Sequence, residues 1–288
     1  MERRCGWFWV LVRLLLCHGL VLIANGVVAL LVLLAFGVAS SEIQSVVQNP
    51  PQGLLLFTAL LSVVAVTCIV FALTRWVDRR PSAEIGWTMP RRPGLMVLLG
   101  LFLGAIVPAV KMVILWVIGG FSVQGLRVGQ SELGYALFAV VVIGTAWSEE
   151  VLFRGYTLAN LNDRLRPVIS GLLSALIFAA FHLGSEQTWA GVLSYLMSGL
   201  LLALSFLYLN SLWLPLWVHT GNNLVYELLF SDTLGIVVGT QQASAVVADL
   251  ADAAGVLTAL VLLLLVVLRD RRKGHMLLGE SRPTSTST

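Results

Sequence analysis

Two adjacent glutamates and an arginine interrupt an apolar stretch near the middle of the chain: Glu149, Glu150 and Arg154. An ionisable side chain inside a membrane span costs on the order of 2.5–3.5 kcal/mol on insertion scales, so this group indicates a function. Arg154 follows Glu150 by four residues, and the two can pair on one helix face. Glu149 is rotated by about 100° from Glu150 and is the candidate general base. The alternative is a buried ion-pair network that only fixes helix packing.

The histidines supply the second group of candidate residues. Of the four in the chain, His182 and His219 lie inside apolar segments. Either one alone is most simply explained by a packing hydrogen bond between helices. Two histidines together with a carboxylate pair are suited to proton transfer, and we therefore predict that both join Glu149 in one site.

Helix geometry is consistent with such a site. Fifteen residues separate Glu149 from Arg164, and fifteen separate Pro167 from His182, on either side of one basic turn. Both groups then lie about 22 Å from that turn and can face each other, if both helices are unbroken. His219 lies only roughly 10 Å from the start of its helix. The site is therefore expected about a third of the way into the bilayer from the cytosol, if the helix of Glu149 projects beyond the membrane.

The composition predicts the fold class. Hydrophobic residues make up 58% of the chain and charged residues 11%, less than half of the roughly 25% that is typical of soluble domains. The apolar runs are long and do not alternate, which favours helices over a barrel. We predict an all-α, polytopic transmembrane bundle of about eight spans. These are Gly19–Val38, Gly53–Leu73, Gly94–Gly120, Gly134–Arg154, Val168–Leu183, Ala190–Leu209, Leu212–Phe230 and Ala253–Leu268.

Basic residues predict the orientation, because cytoplasmic flanks are enriched in Lys and Arg. They fall on alternate flanks of the spans, which places both termini in the cytoplasm. The isoelectric point near 9.0 then reflects topology and anionic lipid, and it requires no nucleic acid partner. The residues that mark the cytoplasmic side are Arg3, Arg4, Arg75, Arg79, Arg80, Arg91, Arg92, Arg164, Arg166, Arg269, Arg271, Arg272 and Lys273.

The chain is expected to contain four regions. Residues 1–133 hold the first transmembrane helices and a basic cytoplasmic loop, and residues 134–230 hold the candidate site. An outer loop and the last span follow at 231–268, and residues 269–288 are read as a basic, disordered cytoplasmic tail. The outer loop, Ser231–Asp252, has low charge and is assigned no function.

Three short motifs carry a resemblance to a known family. Glu149–Arg154 fits the pattern Glu-Glu-x-x-x-Arg, Phe178–His182 fits Phe-x-x-x-His, and His219–Asn223 fits His-x-x-x-Asn. In this order on successive helices they resemble the CPBP family, also called Abi, which contains CAAX prenyl endopeptidases and bacteriocin-processing or immunity proteins. The resemblance covers about Gly134–Phe230, and the remaining spans are similar in topology only.

The resemblance implies peptide hydrolysis within the membrane. Glu149 with His182 would activate a water molecule, while His219 and Asn223 would bind a metal or stabilise the oxyanion. The Glu150–Arg154 pair would shape the site. The substrate would be a membrane-associated peptide or protein, prenylated or not, in a prokaryotic plasma membrane, with the site reached from the cytoplasm. Neither substrate identity nor oligomeric state is predicted.

The metal requirement stays open at this point. The family is usually labelled as metalloproteases, and Glu149, His182 and His219 would make a two-histidine, one-carboxylate zinc set. The sequence, however, has no His-Glu-x-x-His motif, and Asn223 suits an oxyanion donor better than a zinc ligand. Zinc and a metal-free glutamate mechanism are therefore both retained.

Two other classes of function stay open as well. A proton-coupled transporter would also place Glu149, Glu150 and Lys111 in membrane spans. The sequence shows no matching halves with interrupted helices of the kind that inverted-repeat transporters have. A non-enzymatic scaffold or immunity protein would need only the bundle and a binding surface.

Overall fold

The long apolar runs form helices, in which each backbone N–H and C=O is paired within its own segment. The computed structural model describes residues 6–48, 50–127, 132–184, 188–231 and 235–272. The helices are α1 (Trp7–Ala35), α2 (Ile43–Gln48), α3 (Gln52–Ala72), α4 (Pro93–Val117), α5 (Glu132–Glu150), α6 (Ala159–Asn162), α7 (Pro167–Phe181), α8 (Trp189–Leu209), α9 (Trp213–Phe230) and α10 (Ala245–Arg272).

The predicted helical membrane bundle is confirmed. Within the described residues, six helical segments are long and apolar enough to cross a membrane; they contain α1, α3, α4, α5, α8 and α10. The other two predicted spans are also helical, but α7 has only 15 residues and α9 carries polar residues such as His219, Asn223 and Glu227. The count of eight spans and the orientation of the termini stay predictions.

The helix that carries the glutamates is not a continuous α-helix. Residues Val151–Leu158, directly after Glu150, form a π-helical segment, and α6 continues the same helix to Asn162. The assumption of an unbroken α-helix was therefore wrong. Single π-turns widen the helix by one residue per turn and often occur at functional sites. All eight residues of this segment are buried.

Helix boundaries differ from the predicted ones at several places. α1 begins at Trp7 rather than at Gly19, and α10 runs from Ala245 to Arg272. The basic residues 269–272 are therefore helical, because the backbone hydrogen bonding of α10 continues past its apolar part. The remainder of the predicted disordered tail, 273–288, lies outside the described residues.

Two short strands supplement the helices. β1 (Phe121–Leu126) follows α4 and pairs antiparallel with β2 (Val237–Gln241), with a register shift between Val123 and Gly125. The predicted outer loop thus contains a strand and the first turns of α10. This sheet lies at the end of the bundle remote from most of the basic residues.

Glycines allow the helices around the candidate site to pack closely. A Cβ atom on Gly221 of α9 would lie 2.6 Å from the backbone oxygen of Leu101 in α4, and one on Gly199 of α8 would lie 2.9 Å from the Cα of Ala175 in α7. Small residues at helix interfaces are a common device in membranes, where lipid and side chains are equally apolar and close packing drives association. These contacts set the spacing of α9 from α4 and of α8 from α7.

Polar contacts join the basic flanks at one end of the bundle. We call this end, which contains the Arg80–Asp163 and Tyr208–Asp270 contacts, the basic end. Arg80 forms a two-pronged ion pair with Asp163 at the end of α6. Tyr208 near the end of α8 donates a 2.6 Å hydrogen bond to Asp270 of α10. These contacts join flanks that the sequence assigned to one side of the membrane.

The interior of the basic end contains a cluster of packed apolar side chains. The short 3₁₀ turn Ser82–Ile85 inserts Ile85, which is 1% exposed, into one buried cluster with Phe206 and Leu212. Gly86 follows with φ at +79°, a conformation that favours glycine. Its carbonyl accepts a 3.0 Å hydrogen bond from the Leu212 amide. The loop before α4 is thereby fixed over the turn between α8 and α9.

Candidate active site

The structure brings five of the six predicted site residues into direct proximity. Glu149 and Glu150 end α5, Arg154 lies in the π-helical segment, His182 caps the end of α7, and His219 lies in the second turn of α9. The convergence expected from helix geometry therefore exists despite the π-helical segment.

Glu150 is the buried hub of the site. Its side chain is 0% exposed, and Oε1 accepts a 2.9 Å hydrogen bond from Arg154 Nη1. The same oxygen lies 2.8 Å from Nδ1 of His219. Arg154, also fully buried, donates from Nη2 to the backbone oxygen of Gly199 at 3.3 Å. Its guanidinium lies over the ring of Phe178 with 4.5 Å to the centroid.

Glu149 faces the opposite way and meets both histidines. Its Oε2 atom lies 3.9 Å from Nε2 of His182 and 3.8 Å from Nε2 of His219. The Glu149 side chain is 26% exposed, whereas that of Glu150 is completely buried. Oε2 of Glu149 has no protein hydrogen-bond partner among the described residues. Glu149 therefore lies in a polar, partly exposed environment, whereas Glu150 is completely buried.

The orientation of His182 is fixed from two sides. Nδ1 lies 2.8 Å from the backbone oxygen of Phe178, which can only accept, so Nδ1 carries a proton. The neutral ring then presents the lone pair of Nε2 towards Glu149. Tyr195 of α8 stacks on the imidazole at 4.3 Å with an interplanar angle of 21°. Backbone and aromatic contacts together hold the ring in the plane that points Nε2 at the carboxylate.

Asn223 lies one helical turn beyond His219 and lines the same cavity. Its Oδ1 accepts a 3.1 Å hydrogen bond from the side-chain amide of Asn222. With the oxygen engaged in this way, the amide NH2 is the end that Asn223 offers to a bound molecule. It does not contact the glutamates directly in any of the described interactions.

A cavity of about 810 Å³ begins at these residues. Glu149, His182 and His219 line one part of it, and the rest extends to the starts of α3, α5, α8 and α10. Those helix ends lie opposite the basic end. In the part of the chain that the structure describes, no lining residue comes from the basic end. The apolar cluster around Ile85 lies at the basic end, and the side of the membrane from which the site is reached stays a prediction.

The far part of the cavity has a polar wall. Lys111 of α4 places Nζ 3.8 Å from Oδ1 of Asp252 and 4.7 Å from the ring centroid of Tyr226. Ser194 donates a 2.5 Å hydrogen bond to the other oxygen of Asp252. The opposite wall consists of apolar residues of α3 and α5, such as Leu56. A bound chain would therefore meet charged and apolar surfaces on different sides.

Sequence reasoning missed the residues that α8 contributes. Tyr195 stacks on His182, and the carbonyl of Gly199 accepts from Arg154. A signal was present, since Gly191, Ser194, Tyr195, Ser198 and Gly199 place small or polar residues along one face of an otherwise apolar helix. Such a stripe in a membrane span marks the face that packs or binds.

The three predicted zinc ligands are of the correct chemical type but do not form a metal cluster. Among the described residues, no group of three or more His, Cys, Asp or Glu side chains is arranged to hold a metal ion. Ligand atoms around tetrahedral zinc lie about 3.3–3.4 Å apart, as follows from bonds of about 2.0–2.1 Å. The separations of 3.8 and 3.9 Å at Glu149 are longer than that.

Fold and site together define an integral membrane protein with a carboxylate–histidine centre that faces a deep cavity. Residues 131–225 match the family model described as Type II CAAX prenyl endopeptidase Rce1-like. This match is consistent with the CPBP family and confirms the resemblance drawn from the three motifs. It spans every candidate site residue, and at the family level it supports an intramembrane CAAX-type endopeptidase. Comparison with curated protein sequences gave no match.

Proposed function

We propose that this protein is an intramembrane endopeptidase that hydrolyses membrane-associated peptides or proteins with Glu149 as general base. The observation that carries the proposal is the position of Glu149 Oε2, which faces Nε2 of both histidines at the inner end of a cavity. A purely structural ion-pair network would use Glu150 and Arg154 and would not need a second carboxylate that faces a cavity.

Glu149 and His182 are the pair that activates water. Their 3.9 Å separation exceeds a direct hydrogen bond and suits a bridging water molecule. Such a water would donate one proton to the carboxylate and the other to the Nε2 lone pair of His182. Its oxygen would then attack the scissile carbonyl as Glu149 takes the proton. On collapse of the tetrahedral intermediate the C–N bond would break, and Glu149 would give this proton to the leaving amine. Tyr195 keeps the imidazole in place by stacking, without contacting the reacting atoms.

His219 and Asn223 are the candidate oxyanion donors. Asn223 would donate from its amide NH2, and His219 would donate from Nε2 when its ring carries both protons. Two carboxylates, Glu149 and Glu150, together with Arg154 leave one net negative charge in the site. A doubly protonated His219 would balance that charge, which matters because net charge within a membrane is costly. The buried Glu150 carboxylate at 2.8 Å from Nδ1 is placed to support this form.

Zinc held by Glu149, His182 and His219 is the alternative to this metal-free scheme. When bound, it would polarise the scissile carbonyl and favour a hydroxide at neutral pH. The donor separations at Glu149 are longer than those of a tetrahedral zinc site. CAAX-type and leader-type substrates both remain within the proposal, and the expected setting is a prokaryotic plasma membrane.

The test is cleavage of a membrane-derived peptide library by purified wild-type and Glu149→Gln protein, each with chelator and with added zinc. We expect the wild type to cleave and the variant to lose at least about a hundredfold in rate, as is typical of general-base removal. Glu84→Gln removes an exposed carboxylate outside the cavity and should cleave like the wild type.

Cleavage by wild type and Glu149→Gln at equal rates would refute the catalytic role of Glu149. Loss of wild-type cleavage with chelator and its return with zinc would replace the metal-free scheme with the zinc alternative. The absence of cleavage, together with acid-dependent solute flux in proteoliposomes, would favour a transporter.

A further inference from the structure

The cavity and the charged flanks of the bundle point in opposite directions. The cavity runs from Glu149 to residues at the remote ends of four helices, among them Gly53, Gly134, Gly191 and Asp249. The arginines of the loops, apart from Arg127, and those of the last helix lie at the basic end, where Arg80 and Asp163 join neighbouring flanks. The cavity and the basic residues therefore lie at opposite ends of the bundle.

The basic end is closed over the site by packed side chains. Ile85 and Leu212 belong to one buried cluster with Phe153 and Tyr156 of the π-helical segment. Tyr156 is 0% exposed and Phe153 only 3%. A peptide that approached from this end would have to displace these side chains and expose their buried apolar surface, which is unfavourable.

The remote end, by contrast, has a wall suited to water and to a peptide. Lys111, Asp252 and Ser194 form a hydrogen-bonded and charged surface there. Lys111 lies seven residues beyond Gly104, whose α-carbon packs against Val218 next to His219. The charged wall therefore begins about 10 Å from the histidine, a distance spanned by about three residues of extended peptide.

The distribution of basic residues then decides which face of the membrane this is. Loops rich in Lys and Arg stay in the cytoplasm. We infer that the catalytic cavity opens to the extracytoplasmic face, and that its substrates are segments of exported or outer-leaflet-anchored peptides whose scissile bond lies at that face. The substrate class rests on the proposed protease function, whereas the direction of the opening does not.

Sided thiol labelling tests the direction of the opening. Single cysteines are introduced into a background in which Cys5 and Cys68 are replaced by Ser; Cys17 is retained because it is fully buried. Ser198→Cys reports on the cavity, which Ser198 lines. An exposed position at each end gives the controls, Ala83→Cys at the basic end and Ser41→Cys at the remote end. A membrane-impermeant maleimide is applied to intact cells and to inverted membrane vesicles.

We expect the cysteines at 198 and 41 to be labelled in intact cells and the cysteine at 83 only in inverted vesicles. Labelling at 198 in inverted vesicles alone, or in neither preparation, would overturn the inference. Labelling at 83 in intact cells would overturn the orientation. The same series carried out with Glu149→Gln separates access from catalysis, because a protein without protease activity would still be labelled from the side on which the cavity opens.

Discussion

Replacing Arg154 by Met should destabilise the protein more than any change at the cavity surface. Arg154 and Glu150 are both 0% exposed and 2.9 Å apart, and removal of one partner of a buried pair typically costs about 3–5 kcal/mol. The hydrogen bond to the Gly199 carbonyl adds little, because interhelical bonds in membranes average about 0.6 kcal/mol. The cation–π contact with Phe178 contributes about 0.5–2 kcal/mol. The Glu150 carboxylate, which loses Arg154 as its counter-ion and retains only His219 as a partner, therefore dominates the loss.

The decisive form of this experiment is a double-mutant cycle with Glu150→Gln. Glutamine retains an oxygen that can accept a hydrogen bond from His219. The main effect of Glu150→Gln is therefore to leave the buried Arg154 charge without its counter-ion. The double variant carries neither charge, and we expect it to recover about 2–3 kcal/mol relative to the sum of the single losses. Equilibrium unfolding with SDS in mixed micelles, followed by tryptophan fluorescence, measures each free energy of unfolding.

Two results would contradict this account of the pair. One is strict additivity of the two single losses, which would show that the charges do not interact. The other is a loss below about 1 kcal/mol for Arg154→Met, which is within the ordinary range of point substitutions. Arg272→Met is the matched control, because Arg272 is an exposed arginine at the basic end; it should change the free energy of unfolding by less than about 0.5 kcal/mol.

Three shorter predictions concern the cavity, the packing and the basic end. His182→Ala should abolish peptide cleavage yet lower the free energy of unfolding by no more than about 1 kcal/mol, since the imidazole is 22% exposed; unfolding as severe as that of Arg154→Met would mean a structural role. Gly104→Val should destabilise by about 1–3 kcal/mol through overpacking, because a Cβ there would press on the Val218 carbonyl, whereas Gly94→Val meets no neighbour and should be neutral. Burial raises the pKa of the Asp78 carboxyl, so the folded state retains this proton to higher pH than the unfolded chain. The free energy of unfolding should therefore fall as pH rises from about 4 through the raised pKa. Asp78→Asn should flatten this pH dependence in unfolding experiments at a series of pH values. An unchanged pH dependence would exclude Asp78 as its source.

The helices and most of the site could be predicted because they depend on local rules. An apolar run of sufficient length forms a helix in lipid whatever its neighbours do. The pairing of Glu150 with Arg154 follows from their four-residue spacing, and the meeting of Glu149 with His182 follows from equal distances to one turn. These features needed no knowledge of which helices are adjacent.

The direction of the cavity depends on packing that the sequence does not reveal locally. In a soluble protein, one apolar face of a helix identifies its buried side, but a membrane helix is apolar all round. The insertion of Ile85 beneath Leu212 depends on a loop of high local polarity that folds back over two helices. Tyr195 was missed for the same reason, since its position against His182 depends on how α7 and α8 pack.

The adjacent glutamates face different environments because neighbouring residues on a helix point in different directions. On a helix, neighbouring residues point about 100° apart, so Glu150 faces Arg154 in the sealed interior while Glu149 faces the cavity. The following π-helical turn, Val151–Leu158, keeps Arg154 within 2.9 Å of Glu150 and is itself completely buried. In the proposed mechanism, proton transfer at Glu149 would therefore not break the buried pair. Glu150, paired with Arg154, holds His219 in place, and Glu149 would change its charge in the cavity.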